Sequence, residues 1–346
     1  MKVLLTGGTG FVGSHAVPEI LAAGHEVRLL VRSPERAERI LAARSVDPGA
    51  VEMVEGDMLD EAAVGAALDG CDGAVHAAAS VAVTGADNER LVAINVDGTR
   101  NVVGGAVARG LDPVVYVSTT AVFVPPSQPV ISVDSPLASP RNPYGRSKVE
   151  AERIVRGLQD EGAPVTVVYP GGVLGPDQPN LDAAVEGVAG ALEKGWPMTK
   201  GGLTIVDVRD LGRIIAASLV AGQGPRRLMA GGRYLSWARF ADLCDDLTGR
   251  PCRRIVMPGP LLVGLGKVLD RAKQVRPFEY PLTADAAEFM VKMVPTEDGP
   301  TLAALGVDYR PTRQTVEDTL RWLAAEGHLS ARTAGRLAPA VDQVQA

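Results

Sequence analysis

Three apolar residues, Val3-Leu4-Leu5, stand between Lys2 and Thr6, and the chain then passes through a glycine-rich turn into an apolar segment of helical period at 11–23, closed by Gly24. That strand-then-helix rhythm repeats. Further apolar runs at 26–31, 51–55, 73–77, 114–118 and 165–169 predict strands, and segments near 36–44, 61–68, 89–108 and 144–159 predict the helices between them. The runs are unbroken rather than alternating, as expected of parallel strands covered on both faces. The expected fold class is α/β, a doubly wound parallel sheet of Rossmann type.

Beyond Tyr169 the rhythm weakens. Pro170, Gly171, Gly172, Gly175 and Pro176 make a turn-rich stretch, followed by a helix at 181–194, a strand at 203–206 and an apolar helix to about 221 that is placed back on the sheet. Helical segments at 237–248, 258–272, 283–290 and 313–325 then predict a smaller, mostly helical C-terminal cap over the carboxyl edge of the sheet. The domain reading is a sheet domain at 1–175 with 203–222 returning to it, a cap at 176–202 and 223–330, and a peripheral tail at 331–346.

Composition narrows the functional classes. A chain of 346 residues that is 46% hydrophobic and 22% charged can bury a large core. With a net charge of −6 and its 35 Lys and Arg dispersed, it lacks the basic surface that nucleic acid requires. Cys71, Cys244 and Cys252 show no paired spacing, which suits a reducing, cytoplasmic compartment. The first strand begins at once, leaving no room for a secretory leader. The most apolar late stretch, 258–267, is about half the roughly twenty residues a transmembrane span needs. It is read as a buried helix start in the cap or as a surface contact for a partner or lipid. His15, His25, His76 and His328 are not grouped at ligand spacing, so no metal is expected.

The turn after the first strand reads Gly7-Gly8-Thr9-Gly10-Phe11-Val12-Gly13. Glycines at 7, 10 and 13 allow a tight turn, approach of a pyrophosphate to backbone, and close seating of the following helix; Thr9, Phe11 and Val12 complete the loop. An NAD site of this type places a carboxylate at the end of the second strand, where this chain has Val31 followed by Arg32. A guanidinium there suits a 2′-phosphate, so NADP is favoured, with NAD as the alternative. Asp57, beside Met58 after the third strand, is a candidate adenine contact or a helix cap. Ala77, Ala78 and Ala79 are small residues where backbone passes the cofactor or simply packs tightly.

Hydroxyls end the fifth strand at Ser118, Thr119 and Thr120, on the carboxyl edge where ligands bind. Tyr144 and Lys148, four apart on a helix, set a phenol and an ammonium on one face. A nearby cation would lower a phenol pKa that is otherwise too high for proton exchange at neutral pH, making Tyr144 the general acid or base. The bland reading is a half-buried aromatic after Pro143 with a solvent-facing lysine.

Together, the Thr6–Gly13 loop, Asn95-Val-Asp-Gly-Thr-Arg-Asn-Val102 and Tyr144-Gly-Arg-Ser-Lys-Val-Glu-Ala-Glu152 resemble the extended short-chain dehydrogenase/reductase family, of the NAD-dependent epimerase/dehydratase superfamily. The pattern is most similar to its members of the dihydroflavonol reductase and 3β-hydroxysteroid dehydrogenase type. The resemblance covers almost the whole chain. It implies Thr119 as the hydroxyl that holds the substrate oxygen, with Ser118 competing, and Asn95 as a supporting asparagine, otherwise a helix cap. It further implies that Tyr144 and Lys148 touch the cofactor as well as the substrate, and that Pro170, Gly172 and Val173 border the nicotinamide ribose. The Asp207–Asp210 segment is expected to be structural. The chemistry implied is hydride transfer between a nicotinamide cofactor and a largely apolar aldehyde or ketone and its alcohol. A catalytic acid beside Thr119 is missing, which argues against a dehydratase. The alternatives are an NAD-dependent nucleotide-sugar epimerase and an NADP-binding sensor or scaffold without turnover. A homodimer through the helices near 89–108 and 144–159 is also implied, with the monomer left open.

Overall fold

β1 (Lys2–Thr6), α1 (Phe11–Ala22), β2 (Glu26–Val31), α2 (Pro34–Ala43), β3 (Val51–Glu55), α3 (Glu61–Leu68) and β4 (Gly73–His76) alternate in the computed structural model, which describes residues 1–80, 88–275 and 283–339. Next, α4 (Asn88–Thr99) runs through a π-helical turn at Arg100–Gly104 into α5 (Gly105–Ala108), followed by β5 (Val114–Val117), α6 (Pro143–Asp160) and β6 (Val165–Pro170). The chain departs through β7 (Gly172–Leu174), α7 (Ala183–Lys194), β8 (Trp196–Met198) and β9 (Gly202–Asp207), then comes back by α8 (Val208–Ala217) and β10 (Arg226–Ala230). The remaining elements are β11 (Arg233–Ser236), α9 (Trp237–Thr248), β12 (Arg254–Val256), α10 (Gly259–Val275), α11 (Ala284–Lys292), α12 (Gly299–Leu305), α13 (Thr312–Ala325) and α14 (Ala331–Ala334).

Seven parallel strands form the main sheet in the order β10-β6-β5-β4-β1-β2-β3. Thr6 pairs with both Leu30 and His76, so the carboxyl ends of β1, β2 and β4 finish level. Strand order reverses between β1 and β4, which opens a crevice at that edge. On one face of the sheet, Leu5, Leu29, Val75 and Val115 share a core with Val17 and Ile20 of α1 and Leu211 and Ile215 of α8. On the other face, Leu4, Ala74, Val114 and Val167 share a core with Leu68 of α3, Val102 of the π-turn and Val149 and Val155 of α6. Burial on both faces explains the continuous apolar runs. A separate core in the cap gathers Trp196, Phe240, Leu320 and Leu323.

Three parts of the sequence reading are corrected. Strand β9 pairs with β7 and β11 in a three-stranded sheet of its own, and only α8 returns to lie on α1. Residues 226–230, assigned to the cap, form the seventh strand of the main sheet. Two arginines disguised it: Arg226 donates to the Ser218 carbonyl at 3.0 Å, while Leu228, Met229 and Ala230 are buried. Finally, the start of the supposed peripheral tail is packed, because Ala334 and Leu337 enter the cap core; 340–346 lie outside the described residues.

The Asp207–Asp210 segment ties the cap to the sheet. Asp207 caps α8 through the Arg209 amide and accepts a two-pronged bond from the Arg209 guanidinium at 2.8 and 2.7 Å. The same Arg209 reaches Asp318 on α13 at 2.7 Å, and Thr315 donates to Asp207 at 2.9 Å. Asp210 accepts from Arg213 and from the Arg310 amide, both at 2.6 Å. Their bonds join α8 to α13.

Candidate active site

Local geometry around the first turn explains its glycines. Gly7 has φ +82°, and a Cβ there would lie 2.6 Å from the Ala78 amide nitrogen. At Gly13 a Cβ would lie 2.2 Å from the Gly7 carbonyl oxygen, so α1 can begin this close to β1 only without a side chain. Gly10 differs: a Cβ would touch only the Gly7 oxygen, at 3.2 Å. Gly10 is also the N-cap of α1, with no side-chain cap and no acid in the first turn. By contrast, Ser33, Asp60, Asn142, Asp182 and Ser236 cap α2, α3, α6, α7 and α9. The first-turn amides of α1, uncapped by the Gly10 position, and the space before Gly10 fit a dinucleotide pyrophosphate. Phe11 stands edge-on to His15 at 5.3 Å, and Val12 packs into the first core layer.

Arg32 is exposed just beyond β2. Ser33 caps α2, and Arg36 donates to Asn180 at 3.3 Å in the segment that follows β7. Arg44, at the end of α2, is bonded to the Asp177 carbonyl and lies 3.4 Å from the Ser14 hydroxyl. Two arginines thereby hold residues 177–180 against α1 and α2, a contact that sequence spacing did not reveal.

Helix α4 and the π-turn after it fasten the remaining edge loops. Asn95 accepts from the Ser80 amide at 2.8 Å and donates to the Ser80 carbonyl at 3.0 Å and the Ser147 hydroxyl at 2.9 Å. It lies inside α4, so the helix-cap reading is wrong; the residue joins the loop after β4 to α6. One turn on, Thr99 meets His76 Nε2 at 3.2 Å, and Thr6 meets His76 Nδ1 at 2.7 Å. Asn101 donates to the Met58 carbonyl at 3.1 Å, while Asp57 accepts from the Leu59 amide at 3.0 Å. Ala77 continues the ladder by bonding Thr6, and Ala78 backs Gly7; Ala79 leads to Ser80.

Catalytic candidates meet at the ends of β5 and α6. Asn142 caps α6 and Pro143 begins it, which places Tyr144 in the first turn and Lys148 one turn further in. The Tyr144 phenol lies close enough to the Thr119 hydroxyl for that hydroxyl to favour its ionised form. Thr119 also accepts from the Ala121 amide at 3.2 Å, capping a 3-10 turn at Thr120–Phe123. Ser118, by contrast, donates to the fully buried Glu152 carboxylate at 2.7 Å. Glu152 further accepts from Arg156 at 2.9 Å and Tyr169 at 2.5 Å. Lys148 is buried, with its ammonium 3.1 Å from the Tyr116 hydroxyl and 3.4 Å from the Val117 carbonyl. Pro170 closes β6, and Gly172 and Val173 open β7 beside them.

Burial raises the Tyr144 pKa above its ordinary value; Lys148 opposes that shift and the nearby Asp182 adds to it. Burial likewise pulls the Lys148 pKa down, against the attraction of Tyr144 and Glu152. The lysine acts on the phenol in the expected direction, but desolvation outweighs it. Tyr116 and Glu152 were not singled out in the sequence. The available signal for Glu152 was its place one turn beyond Lys148, on the same face of α6.

The model of the NAD dependent epimerase/dehydratase family matches residues 3–228. A Synechocystis protein provisionally named dihydroflavonol 4-reductase is 26% identical over 336 residues, covering 94% of this chain and 95% of its own. Cinnamoyl-CoA reductase 1 of Arabidopsis thaliana is 29% identical over 345 residues, covering 95% of this chain and 90% of its own. In fold, the chain is similar to MoeE5 in complex with UDP-glucose and NAD, with a TM-score of 0.70 and 23% identity over 94% of this chain and 99% of that one. Among the described residues, no helix is long and apolar enough to cross a membrane, and no group of His, Cys, Asp and Glu could hold a metal ion.

Proposed function

Because the chain belongs to the NAD dependent epimerase/dehydratase family, we propose that it is an oxidoreductase that uses NADP(H) to interconvert a largely apolar aldehyde or ketone and the matching alcohol. Bound at the α1 turn, the nicotinamide cofactor supplies or accepts the hydride. This chain's own side chains handle the proton and the oxygen. Tyr144 donates its phenolic proton to the carbonyl oxygen in reduction and takes it back in oxidation. Thr119 holds that oxygen by a hydrogen bond, and Lys148 limits the rise in the Tyr144 pKa and orients the cofactor.

The observation that carries this reading is the nearness of the Tyr144 phenol to the Thr119 hydroxyl, while Ser118 is committed to Glu152. In this reading the two hydroxyls hold one substrate oxygen between them, and Ser118 serves the fold. The exposed Arg32, with no carboxylate at position 31, supports NADP over NAD. The relatives named as reductases of a dihydroflavonol and of cinnamoyl-CoA support a carbonyl substrate with an apolar body.

The test begins with separate titrations of NADPH and NADH, then follows cofactor oxidation with aromatic and aliphatic aldehydes, sterol ketones and UDP-sugars. Tighter NADPH binding and carbonyl-dependent oxidation are expected. Tyr144→Phe and Thr119→Val should lower turnover by about 100-fold or more with NADPH affinity retained, whereas Ser118→Ala should mainly lower stability. Preferred NAD binding with redox-neutral sugar interconversion would replace this reading by the epimerase. Retained turnover in Thr119→Val with loss in Ser118→Ala would move the substrate hydroxyl to Ser118.

A further inference from the structure

We propose that the outer face of α10 in the cap docks on an anionic lipid surface. Leu261, Leu265 and Val268, at positions i, i+4 and i+7 of one helix face, are 62%, 40% and 59% exposed. Val256, three residues before the helix, is 84% exposed. These are half of the eight large apolar residues that stand exposed among the described residues, so the apolar surface is concentrated here. The opposite side of the same helix is seated: Leu262 is buried, and a Cβ at Gly266 would lie 2.7 Å from the Ala284 amide. The helix is anchored on α11 while its apolar stripe faces outward. The segment at 258–267 is thus buried on one side and exposed on the other.

Charge selects the occupant. Lys267 and Arg271, one turn apart, border the stripe along one side, and the exposed Arg253 precedes it. None of the three has an ion-pair partner among the described residues. The nearby carboxylates are already engaged: Asp242 and Asp245 pair with Arg254, and Asp270 accepts from the Ala284 amide at 2.9 Å. The border is thus cationic on a chain whose net charge is −6. A second copy meeting this face by two-fold symmetry would set like charges together, whereas lipid phosphates would neutralise them. At 17 residues and about 25 Å, α10 is suited to lie along a bilayer surface with its aliphatic side chains in the acyl boundary.

Docking requires no turnover, so its test stands apart from that of the proposed reaction. The full chain is sedimented with vesicles of mixed phosphatidylglycerol and phosphatidylcholine, and with phosphatidylcholine alone, at low and high salt. The expected result is association with the anionic vesicles about tenfold or more above the neutral ones, falling as salt screens the border. The double variant Leu261→Ser/Val268→Ser should lose binding to both kinds of vesicle. Lys267→Glu/Arg271→Glu should lose the anionic preference, with both variants matching the parent in thermal unfolding and NADPH titration. A parent that stays in the supernatant, or variants that sediment as the parent does, would overturn the proposal. So would a parent dimer in solution that Val268→Ser converts to monomer, which would assign the face to a second copy.

Discussion

Alanine at Gly13 and alanine at Gly10 should fail in different ways, although both remove a glycine from the same turn. At Gly13 the new methyl would lie 2.2 Å from the Gly7 oxygen, 2.7 Å from the Gly7 carbonyl carbon and 3.1 Å from the Gly8 Cα. All three atoms are backbone, and Gly7 is pinned by its positive φ and by the 2.8 Å bond its carbonyl accepts from the Gly10 amide. Restoring ordinary contact moves the start of α1 away from β1 by about 1 Å. Overpacking of this kind costs about 1–3 kcal/mol, against which alanine returns up to about 1 kcal/mol of helix propensity. The unliganded protein should therefore melt a few degrees lower, roughly 2–5 °C, with NADPH affinity also reduced. At Gly10, φ −92° and ψ 174° suit alanine, and the single 3.2 Å contact needs a shift of only a few tenths of an ångström. Stability should stay within about 0.5 kcal/mol of the parent. The methyl would occupy space before the free amides of α1, so NADPH affinity should fall about tenfold or more, which is about 1.4 kcal/mol. Thermal melts without ligand and a fluorescence titration with NADPH measure the two effects. If Gly10→Ala melts as low as Gly13→Ala, or if Gly13→Ala keeps both the parent melting temperature and the parent affinity, the division between a fold glycine and a ligand glycine is wrong.

Two further perturbations address the buried polar groups. Glu152→Ala strands the Arg156 guanidinium and leaves the Ser118 and Tyr169 hydroxyls without their acceptor, so unfolding in urea should show a loss of about 3–5 kcal/mol; a loss below about 1 kcal/mol would show that water replaces the carboxylate. Acid should weaken the fold through histidines that burial keeps neutral. His15 is lowered to about 4 by burial and then by Arg44, and His76 to about 3 by burial and then by Lys148. The unfolded chain protonates both near pH 6.5 and the folded chain does not, so their contribution is intact above that pH and is lost as pH falls toward 4 and 3. At about pH 5 the loss is about 2 kcal/mol for each. A urea midpoint that stays level between about pH 7.5 and about pH 5 would contradict this, and His15→Gln with His76→Gln should flatten the dependence.

What could be read from the sequence was what short spacing determines. Three glycines at fixed intervals specify one turn, and residues four apart on a helix share a face, so the α1 loop and the Tyr144–Lys148 pair were visible before any contact was known. Partners distant in the chain were not. Ser118 and Thr119 are neighbouring hydroxyls, and the carboxylate that engages Ser118 belongs to Glu152, 34 residues further along the chain. For Asn95 the sequence left a supporting asparagine and a helix cap side by side; its actual bonds, to Ser80 and Ser147, depend on how α4 and α6 lie together. The strand at 226–230 escaped notice because Arg226 and Arg227 interrupt the apolar signal on which strand assignment relies.

Sorting the polar groups by whether the fold has already used them separates positioning from chemistry. His76 has a hydroxyl at each ring nitrogen, Ser118 is held by Glu152, and Asn95 has both ends of its amide occupied. Lys148 is only partly committed. Its ammonium has three donors, of which the Tyr116 hydroxyl and the Val117 carbonyl take two. The remaining donor sits on a cation that burial makes easier to deprotonate, one helical turn from a phenol that burial makes harder to ionise. Both shifts oppose a tyrosinate–ammonium pair and favour a neutral phenol. Burial therefore leaves the resting phenol neutral and a weaker acid than an ordinary one, so the proton transfer proposed for Tyr144 rests on Lys148 and Thr119, the two groups that pull its pKa back down.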